Sequence, residues 1–296
     1  TLIKDILLPA VKRKLKDFSY TKPECDSIEM ALYEEIHEIN YVDQNSIKKS
    51  SKSTAITYIN SYDNIRVLFA SQAKSKLLQF SSKHFSFNVD GGRCNTCKGQ
   101  GYVTIEMQFL ADIKMNCEAC NGKRFQEDIL KIKFKNKNIH QLLNLTIEEG
   151  YNFFNKNQQA TIAEKMQPLI EVGLGYLKMG QPINTMSAGE LQRLKLGHFL
   201  SKQNKKSILI FDEPSKGLHF HDINILIKAL DKLVDNGNTV IIIEHNLDMI
   251  KNVDWVIDMG PEAGNNGGQI IFHGPPKELI KQNSHTGKAL KKEIIH

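Results

Sequence analysis

The spacing of apolar residues changes several times along the chain, and each change predicts a different structure. Residues 2–15 have helical spacing with an expected kink at Pro9, and Glu35–Val42 has the pattern of a strand. Residues 45–62 are polar and basic, which predicts a surface loop. Helical spacing returns at Asn64–Leu78, so the first quarter predicts helix, strand, loop and helix in that order.

The middle of the chain changes from alternating apolar residues to helical spacing. Residues 85–134 contain brief alternating stretches, including Tyr102–Phe109 and Ile129–Phe134, which are typical of small β-hairpins. Residues 139–177 have helical spacing with turns near Asn144 and Gly150. A small β element followed by helices is therefore expected here.

Strands and helices alternate in the last third, and a closing helix begins near Pro275. The predicted elements before it are Ile208–Phe211, Ile223–Val234, Thr239–Glu244, Leu247–Ile250, Trp255–Met259 and Gln269–His273. Their strands are rich in Ile, Val and Leu, as strands buried on both faces are. The alternation predicts an α/β fold with a parallel sheet.

Composition narrows the class of protein. The 296 residues are 41% hydrophobic and 24% charged, with a mean hydropathy of −0.35, which excludes collagen, coiled-coil rods and wholesale disorder. No stretch approaches twenty uncharged apolar residues, so no membrane partner is expected. The net charge of +6 permits nucleic-acid binding without establishing it. The chain opens at Thr1 in a helical pattern without a leader, and we expect it to be part of a longer cytoplasmic protein.

Four of the five cysteines form two CxxC pairs. The pairs are Cys94 with Cys97 and Cys117 with Cys120, and nineteen residues lie between them. Four thiolates at this spacing predict a structural zinc site, because they close the metal's tetrahedron and leave no position for water. The flanking basic residues, Arg93 among them, suit phosphate contact or form a solvated rim.

Two carboxylates, Asp212 and Glu213, follow the predicted strand Ile208–Phe211. Ligands bind at the carboxyl ends of parallel strands. In an ATPase the first carboxylate would hold the Mg²⁺ shell and the second would polarise the attacking water. The alternative is an acidic pair that only caps the next helix.

Two further features gain meaning only in combination. Ser187 and Glu190 form a predicted capping box, and the small residues Ala188 and Gly189 would let a phosphate approach the helix amides. His245 follows the strand Thr239–Glu244, where it could contact a γ-phosphate. Each feature alone is as well explained by an ordinary capped helix or a surface histidine.

In this order and spacing the motifs resemble the ABC ATPase family. The resemblance implies a Q-loop at Gln44, a signature at Ser187–Glu190, a Walker B motif at Asp212 and Glu213, a D-loop at Gly217, and a switch histidine at His245. It further implies ATP or ADP and Mg²⁺ as cofactors.

A four-cysteine module between Q-loop and signature is similar to the UvrA family of bacterial excinuclease ATPases, specifically the second module. The resemblance is carried by residues 41–44, 85–88, 91–94, 105–112, 173–176, 180–182, 212–214, 217–220, 238–248 and 254–260. It implies a homodimeric ATPase of nucleotide excision repair that recognises damaged double-stranded DNA and loads a helicase-like excinuclease subunit.

The chain departs from the family pattern at several motifs. Position 188 is Ala where the family has Gly, and Ser215-Lys216 replaces paired threonines. The segment Ser46–Tyr58, near DNA in the family, carries Lys48, Lys49 and Lys52, which keep positive charge without arginine's bidentate geometry. These lysines and Arg93 are the candidate DNA contacts.

The Walker A loop is absent from the sequence, and the family pattern puts it immediately before Thr1. We therefore expect an ABC-type ATP hydrolase in the parent protein and little activity in this chain alone.

The motifs predict a discontinuous domain arrangement. A nucleotide-binding core is expected from residues 1–45 and 205–296, with a mostly helical signature domain at 46–204 and a nested zinc module at 88–126. Two alternatives remain open: a UvrA-like paralogue that protects against DNA-binding drugs, and a non-catalytic zinc-organised DNA-binding module.

Overall fold

The computed structural model describes residues 2–30, 35–43, 50–105, 107, 112–202, 206–218, 220–262, 264 and 267–295. The chain divides into two compact units. Thr1–Gln44 and Asn204–His296 form the first, the sheet unit, and Asn45–Gln203 forms the second, the helical unit. The strands are β1 (Glu38–Val42), β2 (Tyr102–Ile105), β3 (Ile113–Asn116), β4 (Ser207–Asp212), β5 (Thr239–Ile243), β6 (Val256–Gly260) and β7 (Gln269–Gly274).

The helices of the described residues are mostly short. They are α1 (Leu8–Lys14), α2 (Ala55–Tyr58), α3 (Tyr62–Ala70), α4 (Ala73–Leu77), α5 (Glu127–Leu130), α6 (Ile139–Leu143), α7 (Ile147–Lys156), α8 (Ala160–Glu171), α9 (Ala188–Ser201), α10 (Phe220–Asp235), α11 (Leu247–Ile250), α12 (Pro276–Leu279) and α13 (His285–Ile295).

A parallel sheet of order β1-β4-β5 lies at the centre of the sheet unit. The central strand β4 is buried along nearly all its length, as expected for a strand paired on both sides. Its side chains pack with α1 and β1 in one apolar core, made by Leu8, Val11, Ile39, Ile208 and Ile210. The α/β fold class with a parallel sheet is thereby confirmed.

One prediction for the sheet unit is wrong. The strands β6 and β7 form a separate antiparallel pair, and residues 261–268 between them are too few for the crossover that parallel pairing requires. At Pro9, where a kink is expected, the helical segment changes character: the π-helical stretch Leu2–Leu7 leads directly into α1, and Pro9 lies in the first turn of α1. Proline has no amide hydrogen to donate to the preceding turn, which suits such a change.

The helical unit is built on α7, α8 and α9, which pack in sequence order. Capping boxes begin several helices; at α7, for example, Thr146 and Glu149 exchange side-chain and backbone hydrogen bonds. Phe154, Met166 and Leu169 are fully buried between these helices.

Three predictions for the helical unit are corrected. The expected loop at 45–62 contains the helix α2, whose buried Ala55 and Ile56 anchor it. The helix expected over Asn64–Leu78 is broken into α3 and α4. The strand expected at Ile129–Phe134 is corrected in its first part, because Ile129 and Leu130 belong to α5. Ile132 and Phe134 are buried in alternation, and Phe134 forms an isolated antiparallel bridge with Lys137. The strand predicted at Tyr102–Phe109 is confirmed over Tyr102–Ile105, which is β2 and pairs with β3 as an antiparallel hairpin.

Candidate nucleotide site and metal centre

Asp212 is the last residue of β4, at the carboxyl edge of the parallel sheet. The Tyr41 hydroxyl of β1 donates a hydrogen bond to Oδ2 of Asp212 at 2.5 Å. Burial and the contact with this carboxylate raise the pKa of Tyr41 above its ordinary value, so the hydroxyl keeps its proton. The tyrosine therefore orients the Asp212 carboxylate at the strand end.

Glu213 follows with a backbone conformation that non-glycine residues rarely adopt, at a φ of +47°. Its amide donates to the Ile243 carbonyl at 2.9 Å, which fixes the turn against the end of β5. The described part of the chain contains nine other non-glycine residues with a positive φ, so this conformation alone does not mark a functional site. At Glu213 it turns the chain out of the line of β4 directly after Asp212.

The Glu213 carboxylate has two basic neighbours. The Lys216 ammonium donates to its Oε2 at 2.7 Å, and Nδ1 of His245 lies 3.8 Å from its Oε1. The bond and the charge of Lys216 lower the pKa of Glu213, so the carboxylate is charged at neutral pH. His245 is 78% exposed by side chain, so its ring is open to a ligand.

The predicted signature begins α9 in the helical unit. The Ser187 amide donates to Oε2 of Glu190 at 2.7 Å, and the Glu190 amide donates to the Ser187 hydroxyl at 3.2 Å, so the expected capping box is confirmed. Ala188 is exposed and Gly189 half-buried in the first turn of the helix. The helix therefore presents its amino end with small side chains, as an anion-binding turn needs.

Glu190 has a further partner. The Tyr176 hydroxyl donates to its Oε1 at 2.5 Å. Burial acts to raise the pKa of Glu190, but the bonds from Tyr176 and Ser187 outweigh it and lower that pKa. Glu190 is therefore held as a carboxylate at the start of α9.

Several predicted positions carry less structural information. Gly217, in the predicted D-loop, has a φ of +75°, which favours glycine at this position. His219, two residues further along the same loop, lies outside the described residues. Gln44, Lys48 and Lys49 also lie outside them. Lys52 is described and exposed, and its carbonyl accepts a hydrogen bond from the Asn88 side chain at 2.8 Å.

The four paired cysteines converge on one point in the helical unit. Their Sγ atoms all lie within 4.8 Å of one another, with Cys94–Cys117 at 3.9 Å and Cys97–Cys120 at 3.7 Å. A tetrahedral zinc with Zn–S bonds of about 2.3 Å requires sulfur separations of about 3.8 Å. The cluster therefore has the dimensions of a four-thiolate zinc site.

The surroundings of the cluster set the protonation of its thiols. Burial acts to raise the pKa of Cys94, but the amides of Cys97 and Thr96 outweigh it and bring that pKa to about 7. Burial raises the pKa of Cys120 to about 12. A metal that binds the four thiols displaces their protons, so its affinity for the cluster depends on pH.

Backbone contacts hold the two cysteine turns together. The Cys94 amide donates to the Arg124 carbonyl at 2.7 Å, and the Cys117 amide to the Gly101 carbonyl at 3.0 Å. Gly99 has a φ of +84°, and a Cβ there would lie 1.9 Å from the Phe87 carbonyl oxygen, so only glycine fits.

Arg93, a candidate DNA contact, is already engaged. Its guanidinium bonds to the Asp90 carboxylate at 2.7 Å and donates to the carbonyls of Asn88 and Lys98. A DNA phosphate would have to replace these internal partners. The geometry gives Arg93 a role in fixing the loop before Cys94.

Sequence patterns did not single out Tyr41 or Lys216 as partners of the two carboxylates. Tyr41 pairs in register with Ile210, two residues before Asp212, and this pairing is visible only once the strand order is known. The sequence did offer one indication for Lys216: a lysine stands there, three residues after Glu213, where the family has a threonine.

No helix in the described part of the chain combines the length and apolar character that crossing a membrane requires.

Comparisons with known proteins agree on one family. The chain is 46% identical over 299 residues to UvrABC system protein A of Clostridium perfringens, an alignment that covers 99% of this chain and 31% of that protein. The homologue from Helicobacter pylori strain 26695 is 44% identical over 299 residues, covering 99% of this chain and 32% of that protein. No protein-family model matches the chain.

A solved structure gives the same answer. The crystal structure of UvrA2 from Deinococcus radiodurans superposes with a TM-score of 0.81 and 38% identity, covering 88% of this chain and 32% of that one.

The fold class is α/β, with a parallel sheet in one unit and a four-cysteine module in the other. The chain belongs to the UvrA family, and it spans about a third of the length of the relatives it matches.

Proposed function

We propose that this chain is the second, C-terminal ATPase module of a UvrA-type protein that acts in nucleotide excision repair. The observation that carries the proposal is the grouping of Asp212, Glu213 and His245 at the adjoining carboxyl ends of β4 and β5. Family membership over 99% of the chain supports it independently. The charged state of Glu213 suits a group that positions water.

Each residue has a distinct part in the proposed hydrolysis. Asp212, oriented by Tyr41, would hold Mg²⁺ through its water shell, and the metal would supply charge neutralisation at the phosphates. Glu213 accepts a hydrogen bond from the attacking water and aligns it. His245, exposed beside Glu213, contacts the γ-phosphate.

The signature supplies the remaining nucleotide contacts. The amino end of α9, with Ser187 to Glu190, faces the phosphates of a nucleotide held by another module. Gln44 belongs to the Q-loop and Gly217 to the D-loop. In this proposal Gln44 couples the bound nucleotide to DNA binding. A homodimer completes the sites in this proposal.

The proposed DNA surface lies in the helical unit. The segment with Lys48, Lys49 and Lys52 and the zinc module contact damaged double-stranded DNA through its phosphates. Zn²⁺ bound by the four cysteines would keep the module folded. A helicase-like excinuclease subunit receives the DNA, and the whole protein acts in the cytoplasm.

The decisive variant is Glu213→Gln in a full-length protein that carries this module. It keeps size and hydrogen bonding but removes the charge, so turnover should fall roughly 10²–10⁴-fold while ATP binding survives. The ATP-bound dimer should accumulate. Glu278→Gln, at an exposed carboxylate on α12, is the matched control and should hydrolyse ATP normally.

A normal rate in Glu213→Gln would favour the non-catalytic DNA-binding module instead. The chain as printed contains no GxxxxGK[ST] stretch, so we propose that alone it hydrolyses ATP negligibly. Activity in the isolated chain would contradict that part of the proposal.

A second candidate lies within the same family: a paralogue that protects against DNA-binding drugs. Ala188 and Lys216, which depart from the family motifs, favour a diverged UvrA or a UvrA-like paralogue over a typical UvrA. Survival of a deletion strain separates the two, since a repair protein protects against ultraviolet damage and the paralogue against an intercalating drug alone.

A further inference from the structure

Glu244 directly follows β5, and its carboxylate accepts three backbone hydrogen bonds. Oε1 accepts from the Ser215 amide at 2.7 Å. Oε2 accepts from the amides of His245 at 3.0 Å and Asn246 at 3.2 Å. One half-buried side chain thus joins the loop after β4 to the loop after β5.

The two loops carry the groups that the proposed reaction needs. Ser215 lies two residues beyond Glu213, and His245 is the next residue after Glu244. Among the described residues, the backbone hydrogen bonds between these two chain segments end with the one from the Glu213 amide to the Ile243 carbonyl at the end of β5. Glu244 therefore extends the pairing of β4 and β5 past the end of the sheet.

The contact matters because Glu213 occupies a strained conformation. A φ of +47° costs a glutamate conformational free energy, which the bonds around the turn offset. Beyond Glu213 the Ser215 amide bonds to Glu244, and the Lys216 amide donates to the Glu213 carbonyl at 3.1 Å within the turn itself. Of these two bonds, only that of Ser215 ties the turn to the loop after β5. Releasing it would let the turn relax and move the Glu213 carboxylate relative to His245.

We propose that Glu244 is a positioning residue for ATP hydrolysis, which sets the spacing of Glu213 and His245 through its bonds to both loops. The inference rests on the proposed ATPase function. Glu244 itself contacts backbone amides only, so its effect on the reaction is transmitted through Glu213 and His245.

The test compares Glu244→Ala with Glu244→Gln in the full-length protein. Alanine removes all three bonds, and since a shift of about 1 Å can cost 10²-fold, kcat should fall roughly 10–10²-fold with KM for ATP unchanged. Glutamine keeps one oxygen for Ser215 but offers an NH₂ group to His245 and Asn246, so its kcat should lie between alanine and wild type.

Hydrogen exchange supplies a readout that does not depend on turnover. In Glu244→Ala the amides of Ser215, His245 and Asn246 should all exchange faster, whereas β4 and β5 should keep their protection. In Glu244→Gln the Ser215 amide should stay protected. Glu278→Gln serves again as the control and should change neither kcat nor exchange.

The possible failures are distinct. Wild-type kcat in Glu244→Ala, in a protein whose Glu213→Gln variant is inactive, would overturn the positioning role alone. Equal losses in both Glu244 variants with a lowered Tm would also overturn it, since they would indicate a purely structural role. A wild-type protein without ATPase activity would overturn the proposed function and this inference with it.

Discussion

The Lys216 ammonium donates a hydrogen bond to the Glu213 carboxylate at 2.7 Å within the turn that follows β4. Both side chains are partly exposed, so the pair contributes little to stability. Its effect is on charge, because Lys216 lowers the pKa of Glu213 and occupies one of its oxygens. An ATP γ-phosphate approaching Glu213 would meet this lysine as well.

We expect Lys216→Thr, which restores the family residue, to raise the pKa of Glu213 towards its ordinary value of about 4.3. NMR titration of the Glu213 carboxyl checks this directly. In the full-length protein the acidic limb of kcat against pH should move to higher pH. Lys251→Thr, which removes a similar i,i+3 partner from Asp248, is the control. An unchanged pKa of Glu213 would refute the prediction.

Cys94→Ser and Cys117→Ser should each abolish zinc binding, because four thiolates supply folding free energy that a small hairpin module lacks. Exchange protection should fall across residues 88–126 while the β1-β4-β5 sheet stays protected. Elemental analysis and hydrogen exchange measure these effects. Cys25→Ser, at an exposed cysteine, should retain the metal. Freshly reduced native protein without zinc would contradict the assignment.

Charge reversal at Lys48, Lys49 and Lys52 should weaken binding to all duplexes alike in the full-length protein. The slope of log K against log salt should flatten by about 0.9 for each phosphate that the protein no longer neutralises. Reversal of Lys288, Lys291 and Lys292, which are exposed on α13, changes the net charge equally and is the control. If both triple variants have the wild-type slope, the DNA surface lies elsewhere.

The capping box of α9 should make stability depend on pH. The folded-state pKa of Glu190 is lowered, so its contribution is present above the unfolded pKa of about 4.3 and is lost as pH falls through the folded pKa. Glu190→Gln should cost on the order of 0.5 kcal/mol at pH 7 and less at acidic pH. Urea unfolding at both pH values measures this, with Glu164→Gln, exposed on α8, as control. A cost independent of pH would refute it.

The parallel core could be predicted because its signal is local. Ile208–Phe211 is a continuous apolar run, and the structure buries it on both faces of β4. The contacts of the candidate site could not be predicted, since they depend on strand pairing. Tyr41 and Asp212 are 171 residues apart, and nothing in either neighbourhood indicates the other.

Short elements explain the remaining errors. In Ile129–Phe134, Ile129 and Ile132 have helical spacing whereas Ile132 and Phe134 have the spacing of a strand, and all three are buried. A segment this short gives either period too few positions to decide between them. The antiparallel pairing of β6 and β7 was predictable in principle, from the length of the segment between them. The cysteine cluster needed only residue type and spacing, which is why its convergence could be anticipated.

The place of β4 between β1 and β5 also sets an order of events during synthesis. The ribosome must add 164 residues after Val42 before Ser207, the first residue of the strand that pairs with β1, exists. At about 5–20 residues per second this takes roughly ten to thirty seconds, long enough for the continuous segment Asn45–Gln203 to fold first. During that interval β1 cannot pair with β4, so its backbone N–H and C=O groups on that side are unpaired. Nascent chains that stall before Ser207 are therefore exposed to aggregation and chaperone capture.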